Sequence, residues 1–243
     1  MQKYLYDDLY KLEEIHWWHK AKRNLVSYFL QKYLKDKTNK ILDAGCGTGK
    51  NLEAFSKYGR VWGIDLANDA ISFCKKRGFK NVIAGSIESI PFDNGTFDCV
   101  TALDVLEHVD DSKALKEINR VLNREGILII TVPAFQWLWS RWDEVLHHKR
   151  RYTKDGLEGI LQKNGFKIIK VSCCYSFLFF PALIIRVIKN LIYKDYYPSD
   201  FKLSNKIINS LLGNITGFEK FFIINSQIPF GTSLIVIAQR INT

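Results

Sequence analysis

Apolar residues along the chain follow two periods. Short, nearly unbroken runs at 40–43, 60–65, 80–84, 97–102, 126–132 and 167–173 are separated by stretches starting near 51, 68, 112 and 154, where apolar positions recur every three or four residues. Runs of that length bounded by turn residues predict strands, and the longer spacing predicts helices over 68–77, 112–123 and 154–163. The run Gly126-Ile127-Leu128-Ile129-Ile130-Thr131-Val132 has almost no polar member, as expected of a strand covered on both faces. Residues 123–126 read as the turn leading into it. Ahead of the first strand, Leu25, Val26, Phe29, Leu30, Tyr33 and Leu34 share one helical face, so residues 3–36 are expected to be mainly helical. Strict alternation of strand and helix predicts an α/β chain with a doubly wound sheet.

The first predicted strand ends in Asp43-Ala44-Gly45-Cys46-Gly47-Thr48-Gly49, and a helix begins at Asn51. Glycine lets a chain turn sharply and lets a ligand lie against the backbone. Three ligand classes compete for such a corner. A Walker loop needs Ser or Thr after Gly49-Lys50, where this chain has Asn51. A dinucleotide turn needs a third glycine where Lys50 or Leu52 stands, and Asp43 would repel a pyrophosphate. S-adenosylmethionine carries a sulfonium and an ammonium, so an acid at 43 suits it. The second strand also ends in an acid, Asp65, roughly 20 residues past the turn, at the spacing of a ribose-binding carboxylate.

These runs, with Gly63-Ile64-Asp65, Ile90-Pro91-Phe92-Asp93-Asn94-Gly95-Thr96-Phe97-Asp98 and Leu103-Asp104-Val105-Leu106-Glu107-His108-Val109, resemble the class I S-adenosylmethionine-dependent methyltransferases over about residues 38–135. The resemblance implies a Rossmann-like seven-stranded, mostly parallel sheet whose last strand, 232–239, is antiparallel. It implies a cofactor site made of Asp43, Gly45, Gly47, Gly49, Asp65, Leu66, Ser86, Ile87, Ala102 and Leu103, with S-adenosylhomocysteine as product. Ser86 stands where the family often has aspartate. Leu103-Asp104-Val105-Leu106 replaces the Asn/Asp-Pro-Pro-aromatic turn of amine methylases. His108 reads either as a base or acceptor contact, or as a residue that ties down its loop.

The loop after the fifth strand runs from Pro133-Ala134 through Leu138-Trp139-Ser140, Asp143 and His148 to Arg150-Arg151-Tyr152. It resembles a bacterial and archaeal methyltransferase subgroup with that pattern. Open α/β sheets bind ligands at the carboxyl ends of their strands, so this loop is expected to hold the acceptor. Asp143 and His148 are the candidates for acid–base or orienting roles. Arg150 and Arg151 are candidates for an anionic group, and Tyr152, Trp139 and Trp18 for further acceptor contact. The alternative is an aromatic-lined structural loop with solvated arginines. Residues 1–37 are expected to form a helical flap, with Lys22 or Arg23 near the cofactor's carboxylate. His16-x-x-His19 could share a helical face, but no further cluster accompanies it, so no metal is expected.

Roughly 55 residues separate the last two strands, far more than a hairpin loop needs. The expected organisation is therefore a flap (1–37), a cofactor-binding domain (38–175 and 231–243) and a helical cap insertion (176–230). Within 181–194, Ile184, Val187, Ile188 and Leu191 share one helical face, with Arg186, Lys189 and Asn190 on another. Such a basic amphipathic helix caps an acceptor, touches a membrane surface or forms a dimer seam. The apolar run there is too short to span a bilayer.

At 243 residues, 47% hydrophobic and 25% charged, the chain is ordinary for a globular protein. Its net charge of +10 favours an anionic partner or marks a lysine-rich surface. The cysteines at 46, 74, 99, 173 and 174 form no paired framework and read as reduced, buried thiols of a cytoplasmic protein, with peripheral contact at the inner membrane surface as an option. The early charge in Tyr6-Asp7-Asp8 argues against a signal peptide. The expected function is methyl transfer to an anionic small-molecule, glycan or lipid-linked acceptor by a monomer or dimer. A non-catalytic cofactor-binding scaffold is the rival, and a nucleic-acid methyltransferase is disfavoured by the turn after the fourth strand.

Overall fold

The structure is a computed structural model and describes residues 3–181, 183–184 and 205–241. Seven strands form one sheet: β1 (Lys40–Ala44), β2 (Arg60–Asp65), β3 (Val82–Ala84), β4 (Phe97–Leu103), β5 (Leu122–Pro133), β6 (Phe166–Cys174) and β7 (Ser233–Arg240). Their order is β3-β2-β1-β4-β5-β7-β6. Neighbours from β3 to β5 run parallel, and β7 lies antiparallel between β5 and β6. This is the expected Rossmann-like sheet with one reversed strand. Its switch point lies between β1 and β4, where the chain's direction of travel across the sheet reverses and where ligands of this architecture bind.

Helices cover both faces. On one side α5 (Asp111–Val121) and α7 (Lys154–Lys163) supply Leu115, Ile118, Leu157 and Leu161 to a core with Leu42, Val100, Leu128 and Val236. On the other, α2 (Trp17–Tyr33) buries Val26, Phe29 and Leu30 against Ile41, Cys99, Ile129 and Ile237. The alternation along β5 explains the division: Leu128 and Ile130 face the first core, Ile127 and Ile129 the second. The all-apolar run is a strand buried on both faces.

Two expectations change. The turn expected at 123–126 is part of β5. The register moves from Phe97↔Leu122 to Cys99↔Ile127, so the strand absorbs the additional residues as a bulge, with Glu125 at φ 63°. The N-terminal region also is not only a flap. His16 adopts an extended conformation (ψ 130°) that breaks the helical run, so α1 (Lys3–Ile15) lies apart from α2, which is a full layer of the core. His16 Nδ1 accepts from Trp18 N as the cap of α2, which gives this histidine a local structural job.

Helices α3 (Lys50–Phe55), α4 (Asn68–Lys76) and α6 (Arg141–Val145) lie elsewhere in the fold, and a long helix of the insertion is α8 (Lys206–Asn225). It contributes Ile223 to the second core. Its Glu219 accepts from the amides of Tyr175 (2.8 Å) and Ser176 (2.5 Å), fixing the turn after β6, where Tyr175 has φ 59°. Its Asn209 accepts from Trp17 N and donates to Ile15 O, both at 2.8 Å, and so joins the α1–α2 break. By length and composition α8 is apolar enough to cross a membrane, yet it packs on α2 and β6. The amphipathic stretch at 181–194 falls almost entirely outside the described residues.

Candidate functional site

The corner after β1 is built from backbone. Gly45, Gly47 and Gly49 have φ of 84°, 54° and 88°. At Gly45 a Cβ would stand 2.3 Å from Val105 Cγ2, so the turn must be glycine both for its dihedral and for its contact with the segment after β4. At Gly47 the nearest atoms to a Cβ are 3.8 Å away, so this glycine is required by its backbone rather than by crowding.

Two strand-end acids flank the turn. Asp43 is buried and accepts Thr101 Oγ1 at 2.6 Å through one oxygen; the Asn51 side chain also favours its ionised form, but the other oxygen has no partner within full hydrogen-bond distance. Burial pushes its carboxyl up to about 7, partly offset by the Thr101 hydroxyl. A buried acid poised this way favours a cation beside it. Asp65 accepts from Gly47 N at 2.9 Å and Ala67 N at 3.0 Å. Burial raises its carboxyl, and those two amides oppose the rise. Each oxygen retains acceptor capacity for a ribose hydroxyl.

Other expected cofactor residues divide. Ala102 and Leu103 are buried at the end of β4, beside the turn. Leu66 is 80% exposed at the rim, next to Asp65. Ser86 Oγ accepts from Glu88 N at 3.1 Å, while Ile87 is buried in a cluster with Ile64 and Ile90.

Helix α1, part of the expected flap, lies across this corner through contacts of Glu13 and Leu9 that the sequence does not single out. Thr48 Oγ1 donates to the buried Glu13 carboxylate. Burial raises the Glu13 carboxyl, and the Thr48 bond counters it. Arg77 ties the same surfaces together, donating to Thr48 O at 2.9 Å, Glu14 Oε1 at 2.5 Å and Tyr10 O at 3.2 Å. The cations expected at the cofactor's carboxylate have other partners. Lys22 pairs with Asp104 at 2.5 Å and lies 3.9 Å from the Trp18 ring centre, and Arg23 donates to Glu13 O. Trp18, Lys22, Asp104, Thr131 and Tyr175 line a narrow cavity at the carboxyl ends of β4 and β5. The Glu13 signal was present only as an acid pair in a predicted helix. Its contact with Thr48 spans 35 positions.

The loop after β5 reads differently in three dimensions. Asp143 is the hub: His148 Nδ1 lies 2.9 Å from Oδ1, Arg151 Nε 2.8 Å from Oδ1, and Arg151 Nη2 donates to Oδ2 at 3.0 Å. Its Oδ2 also accepts from Ser140 N and Oγ, closing a capping box on α6. Burial opposes its ionisation, but the His148 and Arg151 hydrogen bonds prevail and hold the carboxyl well below the usual range. Asp143 is thus a buried, ion-paired carboxylate standing behind His148.

Arg151, expected toward an anionic acceptor, has its fork filled by Asp143, with Nη1 on Ala134 O at 3.2 Å. Arg150 pairs with Asp111 at 2.7 Å and keeps a partly exposed side chain. The buried Tyr152 hydroxyl lies 3.2 Å from Leu106 O and 3.1 Å from Asp111 Oδ2, in a structural position. Trp139 is half-buried, and Trp137 is the exposed tryptophan, stacked on Phe135. His108 and His148 come together with ring centres 4.8 Å apart. Burial, and then His148, lower the His108 ring to about 4. All five cysteines are free and buried, as expected.

Comparison with known proteins adds the lineage. Residues 42–130 match the methyltransferase domain family. An uncharacterized protein of Methanocaldococcus jannaschii is 31% identical over 185 residues, covering 74% of this chain and 77% of its own length. For a second protein of that organism, 34% identical over 128 residues, the match takes in 52% of this chain, and the chain spans about half of the relative (47%). Among solved structures, geranyl diphosphate C-methyltransferase from Streptomyces coelicolor, determined with Mg2+, geranyl diphosphate and S-adenosylhomocysteine, superposes with a TM-score of 0.59. The identity there is 15%, over 89% of this chain and 80% of that one, which is a likeness of fold. The chain belongs to the class I S-adenosylmethionine-dependent methyltransferases.

Proposed function

We propose that this protein transfers the methyl group of S-adenosylmethionine to a small-molecule, glycan or lipid-linked acceptor and releases S-adenosylhomocysteine. The observation that carries the reading is the buried, half-satisfied Asp43 beside the glycine turn, with Asp65 across it. One acid suits the cofactor's cationic end and the other its ribose. Transfer is an in-line displacement in which the acceptor atom bonds to the methyl carbon and the sulfonium sulfur keeps the electron pair. The protein's main contribution is alignment, for which effective molarity accounts for several kcal/mol of the barrier. Asp143, itself held by Arg151, keeps His148 in place, and the partly exposed Arg150 is a cation for an anionic acceptor.

The test is calorimetric titration with S-adenosylmethionine and S-adenosylhomocysteine, with NAD and ATP as controls, followed by a screen of anionic sugars and lipid-linked hydroxyl compounds. Micromolar binding of the first two alone supports the reading. Binding of NAD or ATP instead, or of none of the four, overturns it. His148→Ala is expected to leave cofactor affinity intact and lower turnover.

A further inference from the structure

The segment after β4 carries one further acid, set apart from the glycine corner. Glu107 is fully buried, and neither of its carboxylate oxygens has a hydrogen-bond partner. Burial, and then Asp104 nearby, push its carboxyl well above the usual range, with its own backbone amide opposing the rise. A buried carboxylate without partners costs several kcal/mol, and proteins retain one where a ligand completes it.

Two histidines face it. His148 Nε2 lies 4.0 Å from Glu107 Oε1, and the His108 ring stands edge-on to the His148 ring at 75°. The donor atoms of Glu107, His108 and His148 all lie within 4.8 Å of one another. The residues behind them orient the set. Asp143 holds His148 by Nδ1, which aims Nε2 at the cluster, and Arg151 and Ser140 hold Asp143. His108 turns its Nδ1 toward His147 O at 3.4 Å, which leaves Nε2 as its second donor atom. A carboxylate that fixes one imidazole nitrogen so that the other can coordinate is the usual support of a metal-bound histidine. Lys149 N donates to Glu107 O at 2.8 Å, so the histidine-bearing loop is also fastened to the acid by backbone.

We propose that Glu107, His108 and His148 form a binding site for a divalent transition metal ion, of the zinc, manganese or iron(II) class, at the acceptor end of the cleft. Two imidazoles and one carboxylate are the donor set of catalytic zinc and non-haem iron sites, which keep open positions for water or substrate. Bonds of about 2.0–2.2 Å bring neighbouring donors to roughly 3–3.5 Å. The three side chains therefore close by about 1 Å on metal binding, a movement that the partly exposed His108 can supply by rotation.

The proposal deepens the methyltransferase reading, on which its chemical consequence rests. An acceptor oxygen on an open metal position loses its proton more readily. The resulting metal-bound alkoxide or phenolate attacks the methyl carbon, the C–S bond breaks with its electron pair left on sulfur, and the proton goes to solvent. The acceptor class is thus an oxygen nucleophile, and a vicinal diol or hydroxy-carboxylate can occupy two positions at once.

Purified full-length protein, freed of metal by chelator dialysis, should be titrated with Co2+ as a spectroscopic probe and with Zn2+ by calorimetry. One ion per chain is expected, with visible d–d bands and a thermal shift that needs no cofactor. Glu107→Gln and His108→Ala should each weaken binding by at least tenfold while circular dichroism is unchanged, whereas His16→Ala should leave it as it is. Failure to bind either ion at micromolar concentration, or unchanged binding in both folded variants, overturns the site. S-adenosylmethionine titration of the same samples separates the two ideas. Cofactor binding without metal binding defeats only the metal site, and metal binding without cofactor binding defeats only the methyltransferase reading.

Discussion

At the β1–β2 corner the ligand-facing groups are backbone amides and two strand-end acids, whereas in the loop after β5 they are long side chains held by one another. Asp43 and Asp65 retain free acceptor capacity, whereas Asp143 has its oxygens filled by His148, Arg151 and Ser140. A cofactor shared by a whole family can be bound by a fixed backbone shape. The loop after β5 has no such backbone shape, and an ion-pair hub of side chains holds it instead. The residues that look most available for chemistry in the sequence are the ones that build the platform.

The largest effect expected from breaking that contrast is at the hub. Asp143→Ala leaves Arg151 and His148 without their anion in a buried setting, which costs about 3–5 kcal/mol. Calorimetric melting should show a fall of roughly 10 °C, and an unshifted melting temperature would show that the loop does not depend on the pair. Next comes Asp65→Ala, which removes the acceptor for two amides and for a ribose. A loss of about 2–3 kcal/mol, near a hundredfold in cofactor affinity, is expected with a smaller change in melting temperature. Equal affinity for wild type and variant would remove Asp65 from the cofactor site.

A pH series sharpens the comparison at a smaller magnitude. Asp43 sits near 7 before a ligand arrives, and a cationic ligand lowers that value by favouring the ionised form. Affinity is then full above about 7 and falls by up to about tenfold per pH unit below it. The groups around it are Thr101, Asn51, Lys22 and the raised acid Glu13, so Asp43→Asn should flatten the profile while Glu13→Gln should shift its midpoint without flattening it. The smallest effect is at the rim. Arg150→Ala breaks a partly exposed pair with Asp111 worth about 0.5–1 kcal/mol. It should alter KM for an anionic acceptor while leaving cofactor affinity unchanged, and a shift in cofactor affinity would place Arg150 elsewhere in the mechanism.

The legible and illegible parts of the site follow the range of their interactions. Gly45, Gly47 and Asp65 could be read because the turn and its acid lie within about one βαβ unit and obey local geometry. Arg151 was read as open to an acceptor because nothing in the sequence shows that α6 and the left-handed His147 (φ 59°) bring Asp143 back to meet it. Lys22 looked available for the same reason, although its partner Asp104 stands 82 positions away. Glu125 was read as a turn because a bulge and a turn use the same residues, and only the pairing with β4 tells them apart.

By itself, the sequence determined the order of strands and helices, the two-faced burial of β5 and the identity of the glycine corner. Each depends on periodicity or on a few adjacent residues. Tertiary structure alone decided that α1 closes over that corner, that α8 fastens the α1–α2 break, and that Glu107 is buried unpaired between two histidines. The energy of a buried charge depends on what the rest of the chain brings to it, and that is settled only when distant segments pack.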